Sequence, residues 1–327
     1  MRILVTGGAG FIGSNLVESL LQEENVSHVR VIDNLATGFY SNISEFVSNP
    51  RFEFIEADIR DYDACLKFCE GIDLISHQAA LGSVPRSIKD PLTTNAVNIT
   101  GTLNVFTAAK EQGVKRIVFA ASSSTYGDHP GLPKVEHLIG NPLSPYAVTK
   151  FVNELYAQVY ASIYQLDYIG LRYFNIFGPR QNPKGAYAAV IPLFAEAVLK
   201  GEAPTINGDG SHSRDFTFVG NAVLANKLAL FSTNTEAVNQ IYNIACGEQT
   251  SLLQLFDFLA NEIESNLRPV HGPDRKGDVK HSLADISKAR KLLGYEPAVT
   301  IQDGLKRTLK WYQQQLEKDK PNSNQYT

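Results

Sequence analysis

The glycine-rich segment TGGAGFIG, residues 6–13, constrains the fold of this chain more than any other feature. It follows the apolar run Arg2–Thr6 and opens a stretch of helical periodicity, so the sequence predicts a strand, a tight turn and a helix. Gly7 permits the tight turn, Gly10 lets the backbone approach a pyrophosphate at the helix N-terminus, and Gly13 lets the helix pack close to the strand. Glycine-rich turns are common, but this setting predicts a dinucleotide-binding site.

A second apolar run, His28–Ile32, ends in Asp33, twenty residues after Gly13. At that point of a dinucleotide site a carboxylate accepts hydrogen bonds from the adenosine ribose and repels a 2'-phosphate, which favours NAD over NADP. The alternative is that Asp33 is an ordinary loop acid after a strand. A third predicted strand, Phe52–Ala57, ends in Asp58-Ile59, which is placed to flank an adenine by analogy with such folds.

Apolar runs alternate with helical patterns along the first half of the chain. The predicted strands are Arg2–Thr6, His28–Ile32, Phe52–Ala57, Asp73–Ser76, Arg116–Ala121 and Tyr168–Tyr173. The helices between them include Pro91–Gln112 and a long helix from Pro145 to about Tyr164. This alternation predicts an α/β fold with a doubly wound parallel sheet, the Rossmann arrangement.

The second half of the chain breaks the alternation. Its predicted helices, separated by short extended pieces, are Ala188–Lys200, Val219–Phe231, Ser251–Ser265, Ala284–Leu293 and Ile301–Leu316. We expect an NAD-binding domain over residues 1–175, with parts of 215–245 returning to it, and a smaller α/β substrate lobe over 176–316. The polar tail 317–327 is predicted to fray.

Charge and hydropathy limit the class of partner. The 327 residues carry a formal net charge of −4, which gives no basic bias towards nucleic acid, so we expect none as a partner. No apolar stretch approaches the roughly 18 residues of a membrane span, so no membrane partner is expected either. Because the first predicted strand begins at Arg2, we expect no signal peptide and a cytoplasmic protein.

Neither cysteine nor histidine spacing suggests a disulfide framework or a metal site. Cys65, Cys69 and Cys246 are an odd set, and the first two are one helical turn apart, so we expect free thiols. The seven histidines are scattered without paired ligand spacing, and no metal is expected. His77 is interpreted as the end of a strand.

Polar residues follow the predicted strands where an open α/β sheet binds its ligands. Ser122 begins the segment SSSTYG after the fifth strand, and the sixth strand leads into RYFN. Between them, Tyr146 and Lys150 are four residues apart on a predicted helix, which places phenol and ammonium on one face. Taken alone, this pair is more typical of a surface aromatic beside a solvated lysine.

The motifs occur in one order along nearly the whole chain: TGGAGFIG, Asp33, Asn98-x-x-Gly101-Thr102, SSSTYG, Tyr146-x-x-x-Lys150 and RYFNIFGPR. This series resembles the extended short-chain dehydrogenase/reductase family. Within it, the chain is most similar to nucleotide-sugar 4-epimerases, particularly bacterial ones that act on UDP-N-acetylglucosamine, with which it shares AALGSVPRS, SPYAVTK, NGDG, SRDF and HSLADIS.

The resemblance implies transient oxidation at carbon 4 of a UDP-hexose, rotation of the 4-keto sugar about its diphosphate linkage, and reduction from the opposite face. Tyr146 is then the base that removes the hydroxyl proton. A free phenol, with a pKa of about 10, is too weak a base at neutral pH, so we expect Lys150 and the nicotinamide charge to lower that pKa. Ser122, four residues before Tyr126, matches the family's catalytic Ser/Thr and is expected to hydrogen-bond the reacting oxygen.

The resemblance also implies binding residues. For NAD they are Gly7, Gly10, Phe11, Ile12, Gly13, Asp33, Asn34, Asp58, Ile59, Gln78, Ala79, Ala80, Asn98, Tyr146, Lys150 and Tyr173. For the UDP-sugar they are Ser83, Ser123, Ser124, Asn175, Ala189, Val190, Asn207, Arg214, Arg275, Asp278 and Ser282.

Particular roles follow from the same resemblance. Arg214 and Arg275, with Asn175, match phosphate-binding positions, although surface arginines are the alternative. The stretch around Ala189 and Val190 matches the uracil site, Asp278 a ribose contact, and Ser83 a sugar or diphosphate contact, while Ser123 and Ser124 would line the sugar pocket. Ser282 stands where plain-hexose epimerases can carry a bulky tyrosine. It therefore predicts room for a 2-acetamido group, unless it is an incidental small residue.

Other functions remain open at this point. A UDP-glucose/UDP-galactose 4-epimerase is the main alternative. A 4,6-dehydratase would carry an acidic pair where this chain has Ser123 and Ser124, and a non-catalytic NAD-binding module would not need the Ser–Tyr–Lys set. A homodimer is expected from the family. Phe151, Leu155 and Val159 lie at helical spacing that fits an intersubunit bundle or simply core packing.

Overall fold

The structure, a computed structural model, describes residues 1–184, 189–273 and 280–318. Its strands are β1 (Arg2–Thr6), β2 (His28–Asp33), β3 (Phe52–Glu56), β4 (Leu74–His77), β5 (Arg116–Ser122), β6 (Asp167–Tyr173), β7 (Ile176–Phe177), β8 (Thr205–Asn207), β9 (Ser213–Arg214), β10 (Thr217–Phe218), β11 (Gln240–Ile244), β12 (Thr250–Ser251) and β13 (Val270–Gly272). Strands β1–β6 and β11 form one sheet, in the order β11-β6-β5-β4-β1-β2-β3, and every neighbouring pair is parallel. The predicted doubly wound parallel sheet is confirmed.

The helices are α1 (Phe11–Leu20), α2 (Tyr62–Cys69), α3 (Val84–Lys89), α4 (Pro91–Asn95), α5 (Thr102–Glu111), α6 (Pro145–Tyr164), α7 (Val190–Lys200), α8 (Val219–Phe231), α9 (Leu252–Glu262), α10 (Ser287–Leu293) and α11 (Ile301–Lys318). The segment predicted as one helix, Pro91–Gln112, consists of α4, a π-helical stretch over Ala96–Gly101, and α5. The last helix extends to Lys318, past the predicted end at Leu316.

The sheet is buried on both faces, as a parallel sheet requires. Along β1, Ile3 and Val5 join the core on one face and Leu4 the core on the other, and all three are fully buried. Helices α1 and α8 contribute to the first core, and α2, α5 and α6 to the second. The strand order reverses between β1 and β4, and in such sheets the crevice beyond the carboxyl ends at this point binds ligands.

The second half of the chain contributes to both parts of the molecule. Strand β11 pairs with β6 at the edge of the large sheet, and α8 packs against α1. A third core, in which Phe194, Phe256 and Leu309 are buried, joins α7, α9 and α11. Three two-stranded sheets also form in this half of the chain: β7 with β10, β8 with β13, and β9 with β12.

No helix among the described residues combines the length and apolar character that a membrane crossing needs. In the same residues no cluster of His, Cys, Asp and Glu side chains could hold a metal ion. Cys65 and Cys69 are buried in α2, Cys246 is partly buried, and all three are free thiols.

Candidate active site

A cavity of about 470 Å³ lies at the carboxyl ends of the central strands, where the order of the sheet reverses. Its lining includes these residues predicted from the sequence: Gly7, Gly10, Phe11, Ile12, Gly13, Asp33, Asn34, Asp58, Ile59, Gln78, Ala79, Ala80, Ser122, Tyr146, Lys150, Tyr173 and Asn175. The structure therefore brings together the predicted catalytic set and nearly all of the predicted cofactor residues.

The backbone around the glycine turn is packed too closely for side chains at these positions. Gly7 has a φ of 68°, and a Cβ at Gly13 would lie 2.1 Å from the Gly7 carbonyl oxygen. Gly10 is the N-cap of α1, and within the described chain no side chain caps that helix. The first amides of α1 therefore face the cavity without a side-chain acceptor, which suits the pyrophosphate of a dinucleotide.

Asp33 ends β2 and is 9% exposed. Its carboxylate accepts hydrogen bonds from the Ala9 amide at 3.0 Å and the Leu35 amide at 2.9 Å. Burial raises the pKa of Asp33 above its usual value, while the backbone amides act in the opposite direction. A buried carboxylate fixed between the glycine turn and the next loop is unlike an ordinary loop acid, and its contact with the adenosine ribose stays a prediction.

Asp58 is held by its neighbours on the same side of the cavity. Arg60 forms an ion pair with it at 2.6 Å, and the Asn34 side chain donates to it at 2.9 Å. The Arg60 hydrogen bond holds the pKa of Asp58 at about 2, well below its usual range. Arg60 also lines the cavity, and sequence reasoning missed it because a lone arginine after a strand carries no motif.

The predicted catalytic residues lie close together because strand β5 ends at the cavity and helix α6 begins there. Ser122 is the last residue of β5, and its Oγ accepts hydrogen bonds from the Ser124 amide at 3.2 Å and the Ser124 hydroxyl at 2.9 Å. Ser144 caps the N-terminus of α6, which carries Tyr146 and Lys150. The Lys150 Nζ donates to the Ala120 carbonyl at 2.7 Å and lies 5.9 Å from the centroid of the Tyr146 ring. Lys150 is buried, so this pair is not a solvated surface pair.

In the protein without its cofactor, burial dominates the electrostatics of the pair. Burial raises the pKa of the Tyr146 phenol, and the nearby Ser122 side chain acts in the opposite direction. Burial also lowers the pKa of Lys150 to about 8, with the charge of Glu154 opposing this. The expectation that Lys150 and the nicotinamide charge together lower the phenol pKa stays a prediction.

Asn98 supports the cavity wall and does not line the cavity. It is fully buried in the π-helical stretch, where its Oδ1 accepts from the Leu81 amide at 2.8 Å and its Nδ2 donates to the Thr149 hydroxyl at 3.1 Å. Thr149 in turn donates to the Tyr146 carbonyl at 2.8 Å. Asn98 therefore links the segment at Leu81 to helix α6, and its contact with the cofactor stays a prediction.

Three predicted sugar-site serines have local structural partners and lie outside the cavity lining. Ser83 caps α3 by accepting from the Arg86 amide at 3.2 Å. Ser123 and Ser124 form the short 3-10 turn after β5. Asn175 does line the cavity, with a φ of 39°, and its side chain donates to the Asp215 carbonyl at 3.0 Å.

The remaining predicted substrate residues belong to the second half of the chain, and those that the structure describes lie outside the cavity lining. An Nη1 of Arg214 donates to the carbonyls of Ser213 and Lys280, each at 3.0 Å. The Ser282 amide donates to the Ser213 carbonyl at 3.1 Å, which places Ser282 beside β9. Asn207 ends β8, Ala189 is the N-cap of α7 and Val190 its first residue; Arg275 and Asp278 lie outside the described residues.

Asn226 is a buried residue that sequence reasoning missed. Located on α8, it donates to the Tyr173 hydroxyl at 2.6 Å and accepts from the Gln78 side chain at 3.0 Å. Tyr173 also donates to the Gln78 Oε1 at 3.1 Å, so both cavity residues are fixed by one amide. Asn226 lies 148 residues after Gln78, and no local motif announces such a contact.

A glycine turn at the switch point of a parallel sheet, with serine, tyrosine and lysine at the same cavity, defines a dinucleotide-dependent enzyme of the short-chain dehydrogenase/reductase class. The chain belongs to the NAD dependent epimerase/dehydratase family, whose model matches residues 3–245. Its cofactor is NAD, and the cradle at the glycine turn and the buried Asp33 fit that group.

Similar proteins act on different nucleotide sugars. The chain is 37% identical to a UDP-glucose 4-epimerase of Mycolicibacterium smegmatis over 314 residues, covering 95% of this chain and 98% of the relative. A UDP-N-acetylglucosamine 4-epimerase from Methanobrevibacter ruminantium, solved with UDP-N-acetylmuramic acid, has a TM-score of 0.91 at 39% identity, covering 96% of this chain and 98% of that one. A UDP-glucuronic acid 4-epimerase from Bacillus cereus, solved with its substrate and NAD, has a TM-score of 0.89 at 34% identity, covering 96% and 100%.

Proposed function

We propose that this chain is a UDP-sugar 4-epimerase that interconverts UDP-N-acetylglucosamine and UDP-N-acetylgalactosamine in preference to UDP-glucose and UDP-galactose. The observation that carries the proposal is the meeting of Ser122, Tyr146 and Lys150 with the glycine turn at one cavity. Its similarity, over almost the full length, to 4-epimerases of three different UDP-sugars supports the reaction class.

NAD, when bound, supplies a hydride acceptor and donor at carbon 4 of the sugar. In its phenolate form, Tyr146 takes the proton from the carbon-4 hydroxyl, becomes a phenol, and returns the proton after the ring has turned over. Ser122, at the end of β5, donates a hydrogen bond to the reacting oxygen. Lys150 is fixed by the Ala120 carbonyl and stabilises the phenolate by its charge.

A sugar that turns over in its pocket must be anchored elsewhere. The diphosphate is the anchor we propose, held by Arg214, Arg275 and Asn175, because guanidinium forks match phosphate geometry. The neighbouring stretch at Ala189 and Val190 would bind the uracil, and Asp278 the ribose. The sugar itself is then gripped more weakly, which permits two ring orientations.

The preference for acetamido sugars rests on Ser282. Its backbone is tied to Ser213 on β9, next to the proposed phosphate ligand Arg214. A serine side chain at that wall leaves space for a 2-acetamido group. The plain-hexose alternative stays open because a small residue accepts both kinds of sugar.

The dehydratase alternative is disfavoured by side-chain chemistry. Elimination of water across carbons 5 and 6 needs an acid and a base, and the two relevant positions are Ser123 and Ser124. A hydroxyl has no pKa suited to either task near neutral pH.

A substrate panel tests the proposed function. Purified protein is incubated with UDP-N-acetylglucosamine, UDP-glucose, UDP-glucuronic acid and dTDP-glucose, and the products are followed by NMR. We expect fast conversion of the acetamido sugar to its carbon-4 epimer and slower conversion of UDP-glucose. A 4-keto-6-deoxy product would make the protein a dehydratase, and faster turnover of UDP-glucose or UDP-glucuronic acid would overturn the sugar assignment.

We also propose that the enzyme is a homodimer that works in the cytoplasm. Helices α3, α4 and α6 lie side by side and expose large apolar side chains: Ile88, Leu92, Leu155, Val159 and Ile163. Leu92 is 82% exposed and Ile163 is 65% exposed, whereas Phe151 is partly buried. An apolar patch spread over adjacent helices is typical of an interface between protein chains, and a second copy would bury it.

A further inference from the structure

Helix α6 carries three functional groups at four-residue spacing: Tyr146, Lys150 and Glu154. This spacing places them on one face of the helix. Lys150 is 4% exposed and Glu154 is 2% exposed, so both charges are removed from water. The Lys150 ammonium donates to a neutral carbonyl, that of Ala120 at 2.7 Å, and a neutral acceptor compensates little of the desolvation of a charge.

The Glu154 carboxylate is held rigidly by Arg172. The guanidinium Nε donates to Oε1 at 2.8 Å and Nη2 donates to Oε2 at 2.7 Å, which is the two-point geometry of a strong ion pair. Arg172 also donates to the Glu136 carbonyl at 3.0 Å, and its guanidinium lies 4.8 Å from the centroid of the Tyr126 ring. These contacts fix the direction in which the carboxylate lies.

The sheet brings this ion pair next to the anchor of Lys150. Arg172 on β6 pairs in register with Ala121 on β5, and the preceding residue, Ala120, is the one whose carbonyl accepts from Lys150. The ammonium, its acceptor and the ion pair therefore occupy neighbouring positions between α6 and two adjacent strands.

Few other groups carry charge around Lys150. His77 on β4 is neutral near pH 7, because burial lowers its pKa to about 3. Tyr146 on α6 and Tyr173 on β6 are neutral in the protein alone, because burial raises their pKa values. Arg172 on β6 is the cation near Lys150. Around Arg172 lie the charged side chains of Glu136 and Lys288 and the neutral phenol of Tyr126.

We propose that Glu154 is a positioning residue for the epimerisation: its carboxylate supplies the counter-charge that keeps the buried Lys150 protonated beside Tyr146, and Arg172 holds it in place. This inference rests on the proposed function, in which a protonated Lys150 stabilises the phenolate. Glu154 acts through Lys150 and not through contact with the sugar.

The test compares pH profiles of kcat/KM for the holoenzyme and two single variants, using the best substrate of the panel. Glu154→Gln removes the negative charge, so Lys150 loses its proton more easily and the alkaline limb moves down by ~1 pH unit. Arg172→Gln leaves the carboxylate without its guanidinium, so the limb moves to higher pH. A purely structural role lowers activity in both variants without moving the limb in opposite directions.

A matched control uses an ion pair of the same spacing far from the chemistry. Glu196 and Lys200 form an i,i+4 pair on α7 at 2.7 Å. Glu196→Gln is expected to leave the alkaline limb of the profile where it is in the parent enzyme.

Breaking a buried pair is destabilising, and the single variants must be shown to fold by circular dichroism and NAD content. If they do not, the double variant Glu154→Gln/Arg172→Gln, which leaves neither member of the ion pair buried without the other, gives the readout. Its limb moves to lower pH, but by less than in Glu154→Gln alone, because Glu154 lies on the helix that carries Lys150 and Arg172 lies on a neighbouring strand. An unshifted limb in that variant, or equal shifts in both single variants, overturns the inference. If the parent enzyme turns over no UDP-sugar, the proposed function fails instead.

Discussion

Tyr146 is the residue on which the proposed chemistry depends most directly. Tyr146→Phe keeps the ring and removes the phenolic oxygen that accepts the proton, so we expect turnover to fall by at least about 10²-fold with little change in substrate affinity. Lys150→Met is expected to lower both turnover and substrate affinity, because it removes the charge and the contact with the Ala120 carbonyl. Steady-state rates and isothermal titration with a UDP-sugar measure the two effects. Near-normal turnover by the Phe variant would exclude Tyr146 as the base.

Ser282 tests the basis of sugar preference. Ser282→Tyr fills the proposed wall, so we expect it to abolish turnover of the acetamido sugars by steric exclusion while any plain-hexose activity survives. Ser282→Ala is the matched control, since it changes the hydroxyl but not the space. The measurement is kcat/KM for both sugars in each variant. Equal loss of both activities, or no loss of either, would show that this wall does not set specificity.

Asp215 is a buried carboxylate outside the cavity lining, and it accepts hydrogen bonds from two separate segments of the second half of the chain. It accepts from the amides of Cys246 at 2.9 Å, Gly247 at 3.1 Å and Ala284 at 3.2 Å. Burial raises the pKa of Asp215 to about 6, above its ordinary value of 3.8. The folded state therefore binds the proton more tightly than the unfolded state does.

This pKa gives a pH dependence with a definite sign. The contribution of Asp215 to stability is fully present below pH 3.8 and is lost as the pH rises through about 6. We expect the difference in melting temperature, wild type minus Asp215→Asn, to decrease between about pH 4 and pH 6 and to stay constant above. Thermal unfolding at a series of pH values measures it. A difference that increases over this range would contradict the raised pKa.

At the scale of elements, the sequence predicts the strands and helices that carry the site residues better than the contacts that hold these elements in place. The strands β1 to β6 and helices α1 and α6 follow from apolar runs, caps and glycine spacing, which are local signals. The sequence also predicts helix α8, together with the return of parts of 215–245 to the first domain, but it does not predict strand β11 or its pairing with β6. That pairing joins residues far apart in the chain, and local patterns carry no sign of it. The same reason explains why Asn226 was missed.

The exposed side of helix α6 gives a prediction at this scale. Leu155 and Val159 are each 44% exposed, and a second copy packed against them would lose that contact if they became charged. We expect Leu155→Glu/Val159→Glu to shift the protein from dimer to monomer in sedimentation velocity. Val270→Glu, at an equally apolar position that is 55% exposed on β13, should leave the dimer intact. A monomeric parent protein, or a double variant that stays dimeric, would remove this face as the interface.

At the scale of the whole molecule, the residues that line the cavity and several of the predicted substrate residues come from different halves of the chain. The cofactor cavity is built on the large sheet, whereas Arg214, Asn207 and Ser282 come from segments of the second half. Motif order predicts part of this division, because the glycine turn and the Ser–Tyr–Lys set precede Asn207, Arg214 and Ser282 in the chain. Ser83, Ser123 and Ser124, which are also predicted to contact the substrate, come from the first half. The position of the proposed phosphate ligands relative to the cavity depends on the packing of the third core. Such packing joins residues far apart in the chain, so local sequence patterns do not predict it.

The same arrangement predicts that the purified protein retains NAD. An epimerase ends each cycle with its cofactor in the starting state, so release brings no advantage, and it would free the reactive 4-keto sugar. The glycine turn, the buried Asp33 and the tethered Tyr173 line the cavity and are predicted to contact the cofactor, so we expect it to survive gel filtration. Denaturing the protein and measuring nicotinamide nucleotide in the supernatant by chromatography checks this, with an Asp33→Ala variant expected to lose most of it. A supernatant free of nicotinamide, together with a need for added NAD in the assay, would refute tight binding while leaving the fold and the proposed chemistry in place.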